Sequence, residues 1–245
     1  MILELTGVSK AFGGLQAIRD FDLEVKAGEI IGLIGPNGSG KTTLFNLITG
    51  FHSLDEGRIR FDGRDITSLP TYRLASLGVG RTFQIVKPFA HITVIENVCI
   101  GAMFGTSRKV LPRREALRKA EEILNFTGLI DRKDHLAGSL TIGQRKRLEV
   151  SRALASSPRL LLLDEAAAGL NPTEVKAMIE LISRIHQRGI SLIIIEHVLP
   201  VVMSLCQRIA VLNYGRKIAE GAPRTIANDP AVIEAYLGEG FGDVP

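Results

Sequence analysis

The chain has 245 residues, with 30 Lys and Arg against 26 Asp and Glu, a formal net charge of +4 and a pI near 9.2. That length suits one domain or two small ones and buries enough surface to fold without disulfides, and 45% hydrophobic with 23% charged residues excludes a disordered or fibrous chain. Aromatic residues make up only 5%, with no Trp, so stacking on single-stranded nucleic acid would have few platforms; the mild positive balance suits anionic ligands or lipid heads equally well.

Cys99 and Cys206 each stand alone in apolar surroundings, which places them in the core and gives no sign of an oxidising compartment. The longest apolar stretch, Ser191 to Met203, is broken by Glu196, His197 and Pro200. It falls short of the roughly 18 uncharged residues that a spanning helix needs. No secretory signal opens the chain. The expectation is an intracellular protein, soluble or peripheral to a membrane.

In chain order, Ile2–Thr6 and Phe21–Val25 read as strands, and Glu29–Ile34 as a buried strand running into a glycine-rich loop and a helix from about Gly40 to Thr49. Arg58–Phe61 followed by Asp62-Gly63 is a hairpin signal, although Asp-Gly also occurs in ordinary loops. From about residue 92 to 156 the pattern is mostly helical, with Pro112 opening a helix whose Leu117, Ala120, Ile123 and Leu124 share one face. Arg159–Leu163 is a continuous apolar strand of the parallel-sheet kind. Pro172 begins a helix to about Arg188; Ser191–Ile195, Arg208–Leu212 and Lys217–Glu220 are further strands. The alternation predicts an α/β fold with a mainly parallel sheet and a helical insertion, as one domain over 1–245.

Gly35-Pro36-Asn37-Gly38-Ser39-Gly40-Lys41-Thr42 fits G-x-x-x-x-G-K-[ST] between a buried strand and a helix, the context that gives the motif its meaning. Glycines let backbone N–H groups turn inward around phosphates, and the helix N-terminus adds the positive end of its dipole. Lys41 is expected to reach the β- and γ-phosphates of a nucleotide, Thr42 to take one Mg²⁺ position, and Thr43 to touch the α-phosphate. Such a loop establishes nucleotide binding but no activity. Leu160-Leu161-Leu162-Leu163-Asp164-Glu165 supplies what is missing: Asp164 to hold the Mg²⁺ shell through water and Glu165 to accept a proton from the attacking water. A core strand ending in a solvated acidic pair would be the blander account, but this pair lies 123 residues after Lys41 in a chain that already carries a phosphate loop.

A third element is Leu140-Thr141-Ile142-Gly143-Gln144, followed by the basic helical run Arg145-Lys146-Arg147-Leu148-Glu149-Val150. With it the chain resembles, over essentially its whole length, the nucleotide-binding subunit of an ATP-binding cassette (ABC) transporter. The resemblance implies a P-loop NTPase core, an N-terminal β-rich subdomain and a helical subdomain at roughly 92–156. The family's Leu-Ser-Gly-Gly-Gln signature contacts the γ-phosphate of ATP held by the opposite subunit, a role that falls here on Thr141, Gly143 and Gln144. Phe12 stands where an aromatic stacks on adenine. Gln84 stands where a glutamine joins the nucleotide and metal site to the helical region, Ala168-Gly169-Leu170-Asn171 in the D-loop, and His197 at the switch histidine. Taken singly, Phe12 and His197 would be ordinary core and strand-end residues, and most of the Arg145–Arg152 charges a solvated helix face.

Three positions depart from the family pattern. Thr141 replaces Ser and keeps the hydroxyl. Ile142 replaces a glycine, which restricts the backbone and puts a β-branched side chain where a phosphate approaches. Ala166 replaces a proline after Glu165.

Arg81-Thr82-Phe83-Gln84, Thr93-Val94-Ile95-Glu96-Asn97-Val98, Ala167 to Pro172 and the ending Asp229 to Glu239 together resemble the ATPases of branched-chain amino-acid importers. Lipopolysaccharide-export and urea or amide import ATPases share part of that set. The resemblance implies ATP and Mg²⁺, a second ATPase subunit (identical or paralogous), separate transmembrane permease subunits, an extracytoplasmic binding protein, and a place on the cytoplasmic face of the membrane. A GTPase is excluded by the missing Asn-Lys-x-Asp. An ABC ATPase acting on nucleic acid would carry a long coiled coil between the two nucleotide motifs or two cassettes in one chain, so no nucleic-acid partner is expected.

Overall fold

A computed structural model describes residues 1–82, 88–106 and 110–237. In chain order the elements are β1 (Leu3–Phe12), β2 (Leu15–Val25), β3 (Ile30–Ile34), α1 (Lys41–Ile48), β4 (Glu56–Phe61), β5 (Arg64–Asp65), α2 (Thr71–Leu77) and β6 (Val79–Arg81). There follow α3 (Val94–Met103), α4 (Arg113–Thr127), α5 (Ile142–Ala155), β7 (Leu160–Asp164), α6 (Pro172–His186) and β8 (Ser191–Ile195). The chain continues through α7 (Leu199–Leu205), β9 (Arg208–Asn213), β10 (Arg216–Gly221), α8 (Pro223–Ile226) and α9 (Pro230–Leu237). They divide into two compact units, one of residues 1–70 with 193 onward, the other of 71–192.

The first unit holds an antiparallel sheet in the order β2-β1-β4-β5, in which Leu3 faces Val25 on one side and Phe61 on the other. Asp62-Gly63 does close a hairpin: both residues have positive φ (51° and 74°), the backbone that a two-residue turn between twisted strands requires. A second set of strands runs β10-β9-β3-β8, with β9 parallel to β3 and antiparallel to β10. Ile31, Leu33, Ala210 and Val211 are completely or almost completely buried there, and Leu44, Phe45 and Ile48 of α1 add to the core. Arg208 at the start of β9 reaches Glu29 (3.0 Å), a charged pair where β3 begins.

In the second unit β6 pairs in parallel with β7, Arg81 opposite Leu162. All of Leu160–Leu163 are fully buried, as a continuous apolar run predicts. The strand β6 was not legible in advance: three residues, one of them Gly80, carry no periodicity. Helices α3, α4 and α5 pack on one another. On α4 three of the four residues of the expected face, Ala120, Ile123 and Leu124, are buried and Leu117 is half-buried, and Gly128 in the left-handed region closes the helix. Among the described residues, capping boxes start α3, α5 and α6, Thr93 with Glu96, Thr141 with Gln144, and Asn171 with Glu174, whereas α4 starts after Pro112 without a side-chain cap.

The expectation of a solvated face along Arg145–Arg152 is corrected. Lys146 and Glu149 are 7% exposed, and Arg145, Arg147 and Arg152 are half-buried. The reason is that α5 lies against α3 and α4, where Arg147 donates to the Thr127 carbonyl, while Arg145 donates to that of Gly138 and Lys146 to that of Glu165 just past β7. Among the described residues no helix is long and apolar enough to cross a membrane.

Both cysteines are buried, as expected. Burial pushes both thiols up, Cys206 to about 12. A thiol with so high a pKa stays protonated at pH 8 and is a poor nucleophile. Native protein at pH 8 should therefore resist iodoacetamide at Cys206, with labelling only after unfolding, as intact mass will show. Gly101 supplies a second test. A Cβ there would stand 2.4 Å from the Arg152 carbonyl oxygen, so α3 and α5 approach too closely for any side chain. Gly101→Ala should destabilise the protein by about 1–3 kcal/mol, read as a lowered melting temperature.

Candidate functional site

In the first unit, β3 delivers the chain into the loop 35–40. Gly35 has φ 152° and Gly40 φ 109°. A Cβ on Gly35 would lie 2.0 Å from the Leu212 carbonyl oxygen, and one on Gly40 2.5 Å from that of Ala17. Both glycines are therefore fixed by close approach as well as by backbone angle. Helix α1 begins at Lys41 with Gly40 as its N-cap, without a side-chain cap and without an acidic residue in its first turn. The N-terminal N–H groups of such a helix lack intrahelical partners and favour an anion. Thr42 is exposed and Thr43 half-buried at that end.

Lys41 is buried, and its ammonium group donates to the carbonyl oxygens of Gly35 (2.7 Å) and Pro36 (2.8 Å) and to Ser39 Oγ (3.3 Å). The loop thus curls around its own lysine, with Asn37 and Gly38 exposed at the rim. Tyr236 of α9 adds a contact that sequence reasoning did not find. Burial raises its phenol, opposed by a hydrogen bond with the Gly35 backbone. Phe12, at the β1–β2 turn, is 43% exposed and meets His52 edge to face, with ring centroids 5.1 Å apart. Lys10 Nζ stands over the same ring, 5.5 Å from its centroid, and the side chain is otherwise partly open to solvent. His197 is exposed just beyond β8.

In the second unit, β7 ends on Asp164, which is 1% exposed. Its backbone N–H donates to Thr82 Oγ1 (3.0 Å), and its Oδ2 accepts from the Arg81 guanidinium at 3.1 Å. Its Oδ1 is buried and has no hydrogen-bond partner among the described residues. Burial raises the carboxyl's pKa, opposed by Arg81 and Lys146. A buried carboxylate oxygen without a donor is costly unless a cation satisfies it, and a hard divalent ion that prefers oxygen suits such a group.

Glu165 follows with φ 50°, a left-handed backbone that is unusual for a glutamate and costs on the order of 1–3 kcal/mol. Its carbonyl oxygen accepts from the buried Lys146 ammonium at 2.7 Å, which pins the residue in that conformation. Lys146 thus reaches the backbone of Glu165, a contact that its place in a basic helical run does not announce.

Thr141 caps α5, accepting from the Gln144 N–H (3.3 Å) while Gln144 Oε1 accepts from the Thr141 N–H (3.1 Å). The Thr141 hydroxyl proton is not used by that cap. A cavity of about 430 Å³ lies beside this helix start, lined among others by Thr141, Gly143, Gln144, Arg132, Arg147 and Glu174. Gln84 lies outside the described residues.

Comparisons with known proteins agree with these features. A family described as ABC transporter matches residues 18–168, and one described as branched-chain amino acid ATP-binding cassette transporter matches residues 216–242. The high-affinity branched-chain amino acid transport ATP-binding protein BraF of Pseudomonas aeruginosa is 40% identical, over 97% of this chain and 98% of its own. LivG of Escherichia coli, which bears the same description, is also 40% identical with the same coverage. The lipopolysaccharide export system ATP-binding protein LptB of Haemophilus influenzae is 35% identical over 98% of both chains. An ABC transporter cassette solved in its ADP conformation superposes with a TM-score of 0.89 at 35% identity, over 97% of this chain and 99% of that one. A dimeric cassette bound to ADP and Pi gives 0.82 at 26% identity, over 91% and 99%.

The contact that pins Glu165 can be tested directly. Lys146→Met should lower kcat by about ten- to a hundredfold, since small misplacements of a reacting group have effects of that order. Nucleotide affinity should change less than kcat, because the hydrogen bond of Lys146 goes to the Glu165 carbonyl and, among the described residues, its charge is felt only at Asp164; steady-state ATP hydrolysis and fluorescent-nucleotide titration will separate the two.

Proposed function

The chain belongs to the ABC transporter family as an ATP-binding cassette, an ATPase, and from that membership we propose that it powers the import of branched-chain amino acids from the cytoplasmic face of a membrane. One observation carries the choice of substrate: residues 216–242 match the segment described for branched-chain amino acid cassettes, in a chain that aligns end to end with transport proteins of that description. Lipopolysaccharide export is the weaker reading, since that relative is less similar and the C-terminal match points to import.

The loop 35–43 would hold the triphosphate, with Lys41 turning from the Gly35 and Pro36 carbonyls to the β- and γ-phosphates. Phe12 would stack on adenine. Thr42, Gln84 and Asp164 would hold Mg²⁺, the last through the buried Oδ1 that lacks a donor. Bound there, the ion supplies neutralising charge on the β- and γ-phosphates. Glu165 takes a proton from the attacking water as general base, His197 donates to the γ-phosphate, and Gln84 orients the water and transmits its state to the helical region.

The site is completed in a nucleotide-sandwich dimer. There Thr141, Gly143 and Gln144 of one subunit meet the γ-phosphate held by the other, the partner being an identical or a paralogous ATPase. The free Thr141 proton is the donor the hydroxyl would offer. In other P-loop enzymes donors supplied in trans raise kcat by about 10³–10⁵, so an isolated subunit binds ATP but hydrolyses it slowly. The rest of the assembly is separate transmembrane permease subunits and an extracytoplasmic binding protein; nucleic acid has no part in it. The chain acts as a single nucleotide-binding domain with a helical subdomain at roughly 92–156.

Glu165→Gln should lower ATP hydrolysis by about 10²–10⁴, the usual weight of a general base, while retaining ATP and shifting the protein to a dimer in size exclusion with ATP. Undiminished turnover would remove Glu165 from the base role. The transport reading is tested with the membrane subunits that co-purify, reconstituted in vesicles. Hydrolysis stimulated by a binding protein loaded with leucine, isoleucine or valine supports import, whereas co-purification with lipopolysaccharide-handling components would overturn it.

A further inference from the structure

We propose that Arg81 is a positioning residue that holds one oxygen of Asp164 so that the other is presented, alone, to the divalent ion. The inference rests on the metal reading of Asp164 given above and adds to it a residue with no role in that reading.

The observations lie within one unit. Arg81 ends β6 and Asp164 ends the neighbouring parallel strand β7, with Arg81 in register with Leu162, so sheet pairing sets the distance between their side chains. The pair is buried on both sides, the Arg81 side chain at 6% and that of Asp164 at 1% exposure, and the contact is to Oδ2 at 3.1 Å. The next residue, Thr82, is bound to the same strand twice. Its N–H donates to the Leu162 carbonyl (2.9 Å) and its hydroxyl oxygen accepts from the Asp164 N–H (3.0 Å). Two consecutive residues of one strand end thus fix both the backbone and the carboxylate of Asp164.

The two carboxylate oxygens are therefore unequal. Oδ2 is committed to a guanidinium, and Oδ1 is buried with no hydrogen-bond partner among the described residues. A carboxylate that turned freely about its last bond would offer either oxygen, or both. This one offers a single oxygen in a fixed direction. Groups that orient a ligand without touching the metal change metal affinity by about ten- to a hundredfold when removed, which sets the size of effect to look for.

Two other accounts of the pair give different results. If Arg81 is only a strut between β6 and β7, its loss lowers stability and leaves the Mg²⁺ requirement unchanged. If its charge chiefly repels the divalent ion, its loss lowers the Mg²⁺ needed. An orienting role raises it.

The experiment titrates Mg²⁺ into the full-length protein with trinitrophenyl-ATP, reading bound-nucleotide fluorescence, with a parallel titration of the nucleotide in EDTA and a melting curve for each variant. Arg81→Gln should raise the half-maximal Mg²⁺ concentration about tenfold or more, with the EDTA affinity unchanged. Arg81→Lys keeps the charge but loses the planar fork and should give a smaller rise in the same direction; it carries the test if Arg81→Gln melts below the assay temperature. Asp164→Asn should raise the Mg²⁺ requirement by itself, and adding Arg81→Gln to it should raise it no further, because Arg81 acts through that carboxylate. An unchanged or lowered requirement in both Arg81 variants, with Asp164→Asn shifted, overturns the role of Arg81 and leaves the metal reading standing. No shift in Asp164→Asn overturns the metal reading, and the role of Arg81 with it.

Discussion

Gly35 follows β3 where nothing larger than glycine fits. A side chain there would run into the Leu212 carbonyl 2.0 Å away, so the loop can leave the strand only along the path it takes. The approach exists because β3 and β9 pair in parallel, the buried Leu33 opposite the buried Ala210 and the half-buried Ile34 opposite the buried Val211. A one-residue slip would carry these side chains to the opposite face, so the register is strict. Gly40 meets the same limit against Ala17 of β2. A loop fixed at both ends by backbone neighbours holds its N–H groups in place before any ligand arrives, and such groups need not reorganise when charge appears; the Lys41 ammonium alone, bonded to the Gly35 and Pro36 carbonyls, has to turn.

The second unit solves a different problem, that of keeping a carboxylate in a place with almost no water. Four fully buried leucines carry β7 to Asp164, and burying an ion there is tolerable only with a partner. The guanidinium of Arg81 is that partner, put in place by strand pairing rather than by a loop. One residue later the chain bends through a left-handed glutamate, and the strain at Glu165 is held by Lys146 from α5. The same helix that begins with the exposed Thr141 thus reaches, five residues on, to the backbone of the proposed base. A displacement of α5 would be felt at Glu165 through one hydrogen bond.

Much of this was legible in advance, for identifiable reasons. Apolar runs such as Leu160–Leu163 have no other stable place than a buried strand, and Asp62-Gly63 supplies the positive φ values a tight hairpin demands. The phosphate loop reads from glycine spacing because close approach leaves no alternative residue. What stayed hidden depends on partners distant in the chain. Lys146 and Glu149 look like a solvated charge run until the fold buries them, Lys146 against the Glu165 carbonyl. Arg81 enters the sequence only as part of a four-residue motif of importer ATPases until β6 is set beside β7. The hydrogen bond between Tyr236 and Gly35 joins residues two hundred positions apart, and no local pattern announces it.

The signature shows how the same physics separates a crowded glycine position from an open one. The resembled family has two glycines after its serine, and this chain keeps only the second. In the structure Ile142 is the first residue of α5, with ordinary helical backbone and a side chain 62% exposed, so position 142 asks nothing of its occupant that isoleucine cannot give. Gly143 is different. A Cβ there would stand 2.5 Å from Glu174 Oε1, and Glu174 is held in turn by its capping box with Asn171 at the start of α6. The cap hydroxyl at 141 is preserved as threonine, and threonine serves an N-cap about as well as serine. The departure at 142 therefore leaves the backbone of the helix start intact; what it changes is the surface presented there, an apolar side chain in place of bare backbone.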